Sequence, residues 1–335
     1  MATTIKDVAK AAGVSAATVS KVMNNSPSIP DSTCERIRKI MEELDYHPNR
    51  RAQNFARKST KNVLMAVHFH KNLAFENPHI FEIMVGLQKA LNQKGYVLNL
   101  VNVTKQNCME ILGDVIAQKS VDGLVLHISI VSKELEKVIL KEQFPHIVLG
   151  CPEHKTQLCW IDNNNVLSGE IATEYLYKRG YRRMAFIGGA RTDIGSQNRM
   201  QGFKDFHEHR LLKLPKEYIC FGESTVEFGM ESMEKLLALE KRPEAVVCAD
   251  NNLALGAMYK LRDRGLKVPQ DMGIITFDAF PYAKITRPKM TTVDIDVYDM
   301  GKLAGELIVK KIKKPALQTQ SYTTLANLVV NGTTK

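Results

Sequence analysis

Short apolar runs of strand length alternate with amphipathic helical segments over most of the chain after residue 62. The runs are, in order, Val63–Val67, Val97–Val101, Val121–Leu126, Ile147–Leu149, Met184–Ile187, Ala245–Cys248 and Gly273–Phe277. Between them, apolar residues recur at helical steps, as at Ile80, Met84, Leu87 and Leu91. This alternation favours an α/β fold with parallel sheets covered by helices on both faces. Roughly 270 residues exceed what one such sheet usually organises, so the sequence predicts two doubly wound lobes.

The first 46 residues have the pattern of a helix-turn-helix. Thr4 can cap a short helix, with Asp7 as the capping-box acid, and Gly13 ends that helix. Ser15 can cap a second helix that runs from Ala16 to about residue 23, so the intervening turn is about three residues long. A third helix beginning near residue 31 has an apolar stripe that can cover the first two, formed by Ile37, Ile40, Met41 and Leu44.

Positive charge is concentrated at this end of the chain. The protein has 335 residues and a formal net charge of +10, and residues 1–60 hold ten Lys and Arg against six Asp and Glu. Residues 50–58 contain four cationic side chains and no acid. They form a short basic helix in the predicted linker 47–62, and nine residues are too few for a stable isolated helix in water. A concentrated basic segment indicates contact with a polyanion, although a solvated basic surface is the alternative.

A helix-turn-helix binds DNA when exposed residues near the start of its second helix enter the major groove. Ala16, Ala17 and Lys21 are the outward candidates: Lys21 can read guanine, and the alanine methyl groups can contact thymine methyl groups. Small hydroxyl residues would contact the phosphates, here Ser15, Thr18 and Ser20. The spacing alone also fits a purely structural helical hairpin.

Two groups of motifs form one pattern along the chain. In the head they are residues 4–15 (TIKDVAKAAGVS), 18–22 (TVSKV), Asn24 and residues 44–49 (LDYHPN). Later in the chain they are Asp162-Asn163, Gly169, Gly180-Tyr181, residues 185–189 (AFIGG), Arg199, Gly202-Phe203, residues 254–257 (ALGA) and Phe277-Asp278. In these residues and their order, the whole chain resembles the LacI/GalR family of transcriptional repressors.

The resemblance implies a helix-turn-helix head of residues 1–46, a hinge of residues 47–62 and a periplasmic-binding-protein-like body of residues 63–335. The chain would cross between the lobes near residues 160–162, 287–289 and 318–322. The first lobe would hold about residues 63–160 and 289–320, and the second about residues 162–287 and 321–335. Besides the outward and hydroxyl residues above, the resemblance places on DNA Thr4, Asn24, Asn49, Arg50, Ala52, Phe55 and Lys58.

Phe55 is the most pointed departure from the family pattern. The matching hinge position usually holds Leu, whose side chain enters the minor groove and kinks the operator. Because apolar side chains in general can wedge into an unstacked base step, Phe is acceptable there. The alternative is that Phe55 packs only against the hinge helix of its partner.

Arg199 and Asp278 match the positions where the family holds the polar groups of its effector, and both side chains suit sugar hydroxyls. Asp250-Asn251 reverses the usual order, which puts the Asp250 carboxylate at a contacting position. His79 replaces the first residue of a common aromatic pair. These four residues are the predicted effector site, with surface ion pairs as the alternative for Arg199 and Asp278.

Other functional classes find little support. His146, Cys151, His154 and Cys159 have spacings that do not match paired metal ligands, and no metal or cofactor is expected. No dinucleotide fingerprint, phosphate loop, nucleophile elbow or zinc-protease motif is present, so an enzyme is not expected. No apolar run has membrane-spanning length and no secretory signal precedes the head, which predicts a cytoplasmic protein.

The sequence therefore predicts a DNA-binding regulator, most simply a repressor that binds a palindromic operator as a homodimer and responds to a sugar or sugar derivative. A dimer is expected because no apolar heptad tail follows residues 328–332. Two alternatives stay open: the same architecture governed by a protein such as a phosphorylated phosphocarrier, and a metabolic enzyme on an α/β body.

Overall fold

A computed structural model describes residues 3–23, 27–46, 59–69, 71, 79–152, 154–279, 282–315, 317 and 321–335. The chain divides into two compact units, residues 1–61 and residues 62–335. The division falls at the end of the predicted hinge, before the first strand of the α/β pattern.

Among its described residues, the first unit contains three helices: α1 (Ile5–Ala12), α2 (Ala16–Met23) and α3 (Asp31–Glu43). The Asp7 carboxylate accepts hydrogen bonds from the Thr4 backbone N–H (2.8 Å) and the Thr4 hydroxyl (2.7 Å). Gly13 ends α1 in the left-handed conformation, with φ of 64°. One face of each helix forms the small core of Val8, Ala9, Ala12, Val19, Val22 and Ile37. The predicted three-helix head is confirmed.

The first lobe of the larger unit is a parallel sheet with strand order β11-β5-β4-β3-β1-β2. Its strands are β1 (Asn62–Val67), β2 (Val97–Asn102), β3 (Gly123–His127), β4 (His146–Leu149), β5 (Trp160–Asn163) and β11 (Ser321–Thr324). Its helices are α4 (His79–Gln93), α5 (Cys108–Gln118), α6 (Lys133–Lys141) and α11 (Val297–Lys313). Residues Val63, Met65 and Val67 of β1 pack with α4 and α11, whereas Leu64 and Ala66 pack with α5 and α6. Both faces of the sheet are therefore buried, as parallel sheets require.

The second lobe repeats this arrangement with strand order β12-β10-β9-β8-β6-β7. Its strands are β6 (Met184–Gly188), β7 (Ile219–Phe221), β8 (Ala245–Cys248), β9 (Gly273–Phe277), β10 (Thr291–Asp294) and the antiparallel β12 (Asn327–Val329). Its helices are α7 (Asn165–Lys178), α8 (Ile194–His209), α9 (Val226–Leu237) and α10 (Asn251–Asp263). The two-lobed, doubly wound fold predicted from the sequence is confirmed.

The lobe boundaries need correction at all three crossings. Residues 160–163 stay in the first sheet as β5, so the first crossing lies just after Asn163. Residues 291–294 belong to the second sheet, and the chain returns to the first lobe only with α11, not near residue 289. Residues 321–324 then join the first sheet, so the last crossing follows Thr324. The prediction assigned β10 and β11 to the wrong lobes. Both strands are rich in Thr and Ser and lack the apolar run that marks a central strand.

Within the part of the chain that the structure describes, no helix is both long and apolar enough to cross a membrane.

Candidate DNA-binding head and effector cleft

The exposed face of α2 carries Ala17 and Lys21, which are separated by one helical turn and so lie side by side. Ala16 was predicted to point outward with them, but it is half-buried and packs against the core of the head. The reason is that α2 has only two fully buried residues, Val19 and Val22, and Ala16 lies one turn before Val19 on the same face. Of the three residues predicted to point outward, only Ala17 and Lys21 are therefore exposed.

Hydroxyl groups lie at the N-terminus of α2. The Thr18 backbone N–H donates to the Ser15 Oγ atom (3.1 Å), which confirms Ser15 as the cap, and the two hydroxyl oxygens are 2.9 Å apart. Because one hydroxyl donates to the other, the second keeps its proton for an outside acceptor. Helix N-termini favour phosphate oxygens through their exposed N–H groups and dipole. Ser15 and Thr18 therefore form a small donor group suited to a backbone phosphate.

Several predicted DNA contacts lie outside the described residues, and they remain predictions. They are Asn24, Asn49, Arg50, Ala52, Phe55 and Lys58. Of the remaining two, Thr4 is occupied by its bonds to Asp7, and Ser20 is half-buried on α2.

The strand orders identify where each lobe should hold a ligand. In open α/β sheets, ligands bind beyond the carboxyl ends of the strands at the point where the strand order reverses. That point lies between β1 and β3 in the first lobe and between β6 and β8 in the second. Among described residues, His79 begins the helix after β1, Arg199 lies in the helix after β6, and Asp250 follows β8. The predicted effector residues therefore lie on the connections that flank both reversal points.

Arg199 is held by the second lobe from several sides. Its Nε atom donates to Asn165 Oδ1 at 3.0 Å and its Nη1 atom to the Ala249 carbonyl at 2.5 Å. The guanidinium also lies over the Phe277 ring, 4.4 Å from the ring centroid. Gly169 on α7 faces the Arg199 carbonyl so closely that a Cβ atom would collide with it. This close approach of α7 and α8, which the sequence landmarks did not explain, fixes the backbone that carries Arg199.

Asp278 contacts both lobes. Its Oδ2 atom lies 3.2 Å from Nε2 of His79, in the first lobe, and 3.8 Å from Nη2 of Arg199. Although burial alone would raise the pKa of Asp278, the charges of His79 and Arg199 outweigh it and lower this pKa. Burial likewise opposes the charged form of His79, but Asp278 raises the pKa of His79 above its ordinary value. Three of the four predicted effector residues thus form one contiguous charged group.

Asp250 caps a helix, a role that the sequence did not predict. Its Oδ1 atom accepts the Leu253 N–H at 2.9 Å and so caps α10. Burial raises the pKa of Asp250, and hydrogen bonds from Leu253 and Ser224 only partly compensate. No cation lies within ion-pair distance of this carboxylate among the described residues.

Asn251 was not singled out by the sequence as a site residue, yet it shapes the site. Its Nδ2 atom donates to the carbonyls of Phe277 (2.6 Å) and Asp278 (2.9 Å). Its Oδ1 atom accepts the N–H groups of Tyr282 (3.2 Å) and Ala283 (2.9 Å). Asp278 has a φ of 68°, in the left-handed region that non-glycine residues avoid. Asn251 therefore holds a strained turn in place. The sequence does not reveal this role, because the contacts join residues that are 26 to 32 positions apart.

The residues that could suggest a metal have protein partners instead. The His146 ring bonds at Nδ1 to the Phe144 carbonyl (2.7 Å) and at Nε2 to the Cys159 N–H (3.0 Å). Burial lowers the pKa of His146 to about 4, so this ring is neutral at physiological pH. His154 lies 2.7 Å from the Glu136 carboxylate, and Cys151 Sγ contacts the Pro152 carbonyl at 3.5 Å.

Similarity to known proteins agrees with this geometry. The model of bacterial regulatory proteins of the lacI family matches residues 4–49, and that of a periplasmic binding protein-like domain matches residues 173–334. The transcriptional repressor PurR of Vibrio parahaemolyticus is 30% identical over 338 residues, covering 99% of this chain and 98% of that protein. The chain belongs to the lacI family. It is a DNA-binding transcriptional regulator, and the family consists of regulators rather than enzymes.

Other members of the lacI family are similarly related. The transcriptional regulator MalR of Streptococcus pneumoniae is 30% identical over 317 residues, covering 93% of each chain. The regulator CelR in complex with cellobiose has a TM-score of 0.73 and 26% identity, covering 99% of each chain. The Lac repressor dimer bound to operator and the anti-inducer ONPF has a TM-score of 0.83 and 22% identity, covering 100% of this chain and 99% of that one. At 22% identity, the similarity to the Lac repressor shows a shared fold and nothing more.

Proposed function

We propose that this regulator is a repressor that binds an inverted-repeat operator as a homodimer and changes its operator affinity when a sugar or sugar derivative enters the cleft between its lobes. The observation that carries the proposal is the Asp278 group, in which one buried carboxylate joins His79 of the first lobe to Arg199 of the second. A ligand that contacts this group touches both lobes at once and so can favour one lobe arrangement over another.

On the DNA side, Lys21 and Ala17 would contact base edges in the major groove, while Ser15 and Thr18 would hold a phosphate. Ala16, half-buried, would contribute at most the edge of its methyl group. The residues of the hinge, Phe55 above all, would act at the centre of the operator. Two heads related by a two-fold axis read two inverted half-sites, which is why the operator should be palindromic.

Two apolar surfaces support dimerisation of the body. In the first lobe, α4 exposes Phe81 and Val85, and the edge strand β2 exposes Val97 and Leu100. In the second lobe, a groove of about 600 Å³ runs between α10 and the segment before β10. The groove is lined by Leu255, Met258, Tyr259, Arg262, Leu266, Val268, Tyr282, Ile285, Thr286, Arg287 and Pro288. Exposed apolar patches of this kind mark association surfaces, and a second copy of the chain would cover both.

Ligand and operator would be coupled through the short basic hinge. Two hinge segments held together over the minor groove can be helical, whereas one alone is too short to be stable. A ligand that changes the lobe arrangement would change the distance between the two hinges and so their order. The coupling must be reciprocal: operator DNA changes ligand affinity by the same factor by which ligand changes operator affinity.

The DNA-binding part is tested by selecting operators for the full-length protein from a random pool and measuring the affinity of Lys21→Ala for single-base variants. If Lys21 reads a base edge, the variant should lose about 1–3 kcal/mol of discrimination at one position of each half-site. Lys39→Ala is the matched control, because Lys39 is an exposed cation on α3 whose partner is Glu43 at 4.0 Å. Equal weakening on every sequence would reassign Lys21 to phosphate. Failure to select any inverted repeat at low salt would overturn the proposed function.

A further inference from the structure

The helices of the first lobe, α4, α5, α6 and α11, all end near lysines. Each of them is followed along the chain by a strand of the same parallel sheet, so its C-terminus lies at the amino ends of the strands. The segments at these helix ends are residues 94–96, 119–122, 141–145 and 310–314. Together they contain seven Lys and two acids, Asp122 and Glu142.

Contacts around the start of β3 show that these segments lie together. The Asp122 N–H donates at 2.8 Å to the carbonyl of Asn62, where β1 begins. On α11, Ile308 and Ile312 approach Gly123 so closely that an added Cβ atom would lie 2.9 and 3.2 Å from their Cδ1 atoms. We call this end of the lobe the lysine face. Its exposed lysines are Lys94, Lys119, Lys141, Lys310, Lys313 and Lys314.

The exposed lysines of this face have no acidic partner within ion-pair distance among the described residues. The second lobe differs, although its helices also end near cations. There Lys178 lies 3.1 Å from Glu174. Likewise, Lys260 lies 3.4 Å from Glu234. The helix dipole favours a cation at the C-terminus of every helix in both lobes, so it does not explain why only the lysine face lacks acidic partners.

The charge of the lysine face suits phosphate oxygens rather than base edges. The first lobe, residues 62–163 and 297–324, contains no Arg. Lys binds a phosphate as a compact point charge, whereas the planar guanidinium of Arg suits bidentate contact with a guanine edge. Residues 61–163 as a whole hold ten Lys and ten Asp and Glu. The lobe is therefore not basic overall, and its positive charge is concentrated at one end.

The hinge joins the first lobe at this same end. Because β1 begins at Asn62, residues 47–61 lead from the head directly to the amino end of β1. In the proposed function, the two hinges lie over the minor groove at the centre of the operator. The end of the lobe that is attached to the hinge is then the end that the phosphates beside this groove can reach.

We infer that the lysine face binds the phosphates of duplex DNA and is a second, sequence-independent DNA-binding surface of this regulator. The inference rests on the proposed function, because it is the hinge that brings the face to DNA. Six strands at spacings of about 4.8 Å make the face about 24 Å wide, and a duplex carries one negative charge per about 1.7 Å of its axis. Several lysines can therefore meet phosphates at once. Since the face does not depend on an ordered hinge, it attracts the protein to operator and non-operator DNA alike.

The test compares the affinity of the full-length protein for two duplexes of equal length, its selected inverted repeat and a scrambled sequence. Fluorescence anisotropy measures both affinities at several salt concentrations. The main variant replaces three exposed lysines at the end of α11, Lys310→Gln, Lys313→Gln and Lys314→Gln. If these lysines meet phosphates, the slope of log affinity against log salt should become less negative by about 1–3 per protomer. Affinity for both duplexes should fall by the same factor, at least about tenfold at low salt.

The matched control removes the same charge from the opposite end of the same lobe. It combines Lys105→Gln, Lys133→Gln and Lys137→Gln. Lys105 follows the carboxyl end of β2, and the other two lie in the first two turns of α6. The control should keep the slope of the parent. An equal change of slope in the control would overturn the inference, because the attraction would then come from the net charge of the body.

Two further variants separate charge from folding. Replacing the same three lysines of α11 by Arg keeps their charge, so the slope of the parent should be retained. Replacing Lys94, Lys119 and Lys141 by Gln removes the other exposed cations and should change the slope in the same direction as the main variant. Unchanged slopes in both Lys→Gln variants of the face would overturn the inference and would leave an acidic protein as its partner. A loss of affinity for the inverted repeat alone would also overturn it, since phosphates are common to both duplexes.

The two duplexes keep the inference separate from the proposed function. A parent protein that selects an inverted repeat, but whose slopes are the same in the variants of the face, contradicts only the inference. A parent protein that selects no inverted repeat contradicts the proposed function. The scrambled duplex still tests the lysine face in that case, because non-specific affinity is measured without an operator.

Discussion

The two walls of the cleft are built differently. The second lobe supplies Arg199, Asp250 and Asp278, and each is fixed by hydrogen bonds to neighbouring elements of the same lobe. The first lobe, in its described residues, supplies His79, whose ion-pair partner Asp278 belongs to the other lobe. The residues of the second lobe are thus held by contacts within their own lobe. The charge of His79, in contrast, depends on its contact with Asp278 of the other lobe. We expect the residues of the second lobe to determine whether a ligand binds. We expect His79 to affect how ligand binding changes the contact between the lobes.

The largest effect is expected from Asp278→Ala, which removes the group shared by both walls. Ligand affinity should fall by more than about a hundredfold, because His79 and Arg199 both lose a buried anionic partner. Operator affinity should stay near that of the parent, since the head is a separate compact unit. Calorimetry and gel-shift titration measure the two quantities. Unchanged ligand affinity would show that Asp278 is not part of the site. It would also contradict the proposed difference between the two lobes.

Asn251→Ala should have the next largest effect. The substitution removes hydrogen bonds of the second lobe but leaves its charged side chains unchanged. Four hydrogen bonds to the turn around Asp278 are lost, and the free energy of unfolding of the body should fall by about 2–3 kcal/mol. Chemical denaturation measures the change. Asn252→Ala is the matched control, because the Asn252 amide makes one 3.2 Å bond to the Ser224 carbonyl. Equal losses in both variants would show that the second wall does not depend on Asn251.

The smallest effect concerns the pH dependence of His79. Its pKa is raised in the folded state, so its pairing with Asp278 contributes stability that is full below about pH 6.5 and is lost as pH rises through the raised value. His79→Gln should lower the free energy of unfolding by up to about 1 kcal/mol below pH 6.5 and have no effect at alkaline pH.

His146 gives the opposite sign within the same lobe. Its folded pKa of about 4 lies below the ordinary histidine value, so the folded protein loses stability as pH falls from about 6.5 towards 4. Thermal melts of the parent and of His79→Gln across pH 4–9 separate the two residues. The acid loss should persist in the variant while the alkaline loss disappears. A parallel offset at every pH would show that His79 acts by packing and not by charge.

Prediction from the sequence succeeded where a local rule decides the outcome. The central strand β8 is apolar throughout, and β1 is apolar after Asn62, because both faces of a parallel sheet are buried. The caps at Thr4 and Ser15 depend on residues three positions apart. Prediction failed at β10 and β11: five of their eight residues are Thr or Ser, and they are strands because β9 and β5 offer them partners.

The candidate site shows the same division. Arg199, Asp250, Asp278 and His79 were predicted through family resemblance, because their residue types and order along the chain carry that signal. The roles of Asn165 and Asn251 were not found, since each acts on residues 26 to 34 positions away. The same holds for Gly169, whose importance follows from the close approach of α7 to the Arg199 carbonyl.

The sequence by itself determined the three-helix head, the two α/β lobes and the residue types available to the cleft, because periodicity, caps and family motifs are all written along the chain. Only the tertiary structure decided that Ala16 turns inward, that Asn251 supports the Asp278 turn, and that His79 meets Asp278 across the lobes. These outcomes depend on distances between residues as far as 199 positions apart, and hydrogen bonding and charge act through space rather than along the chain.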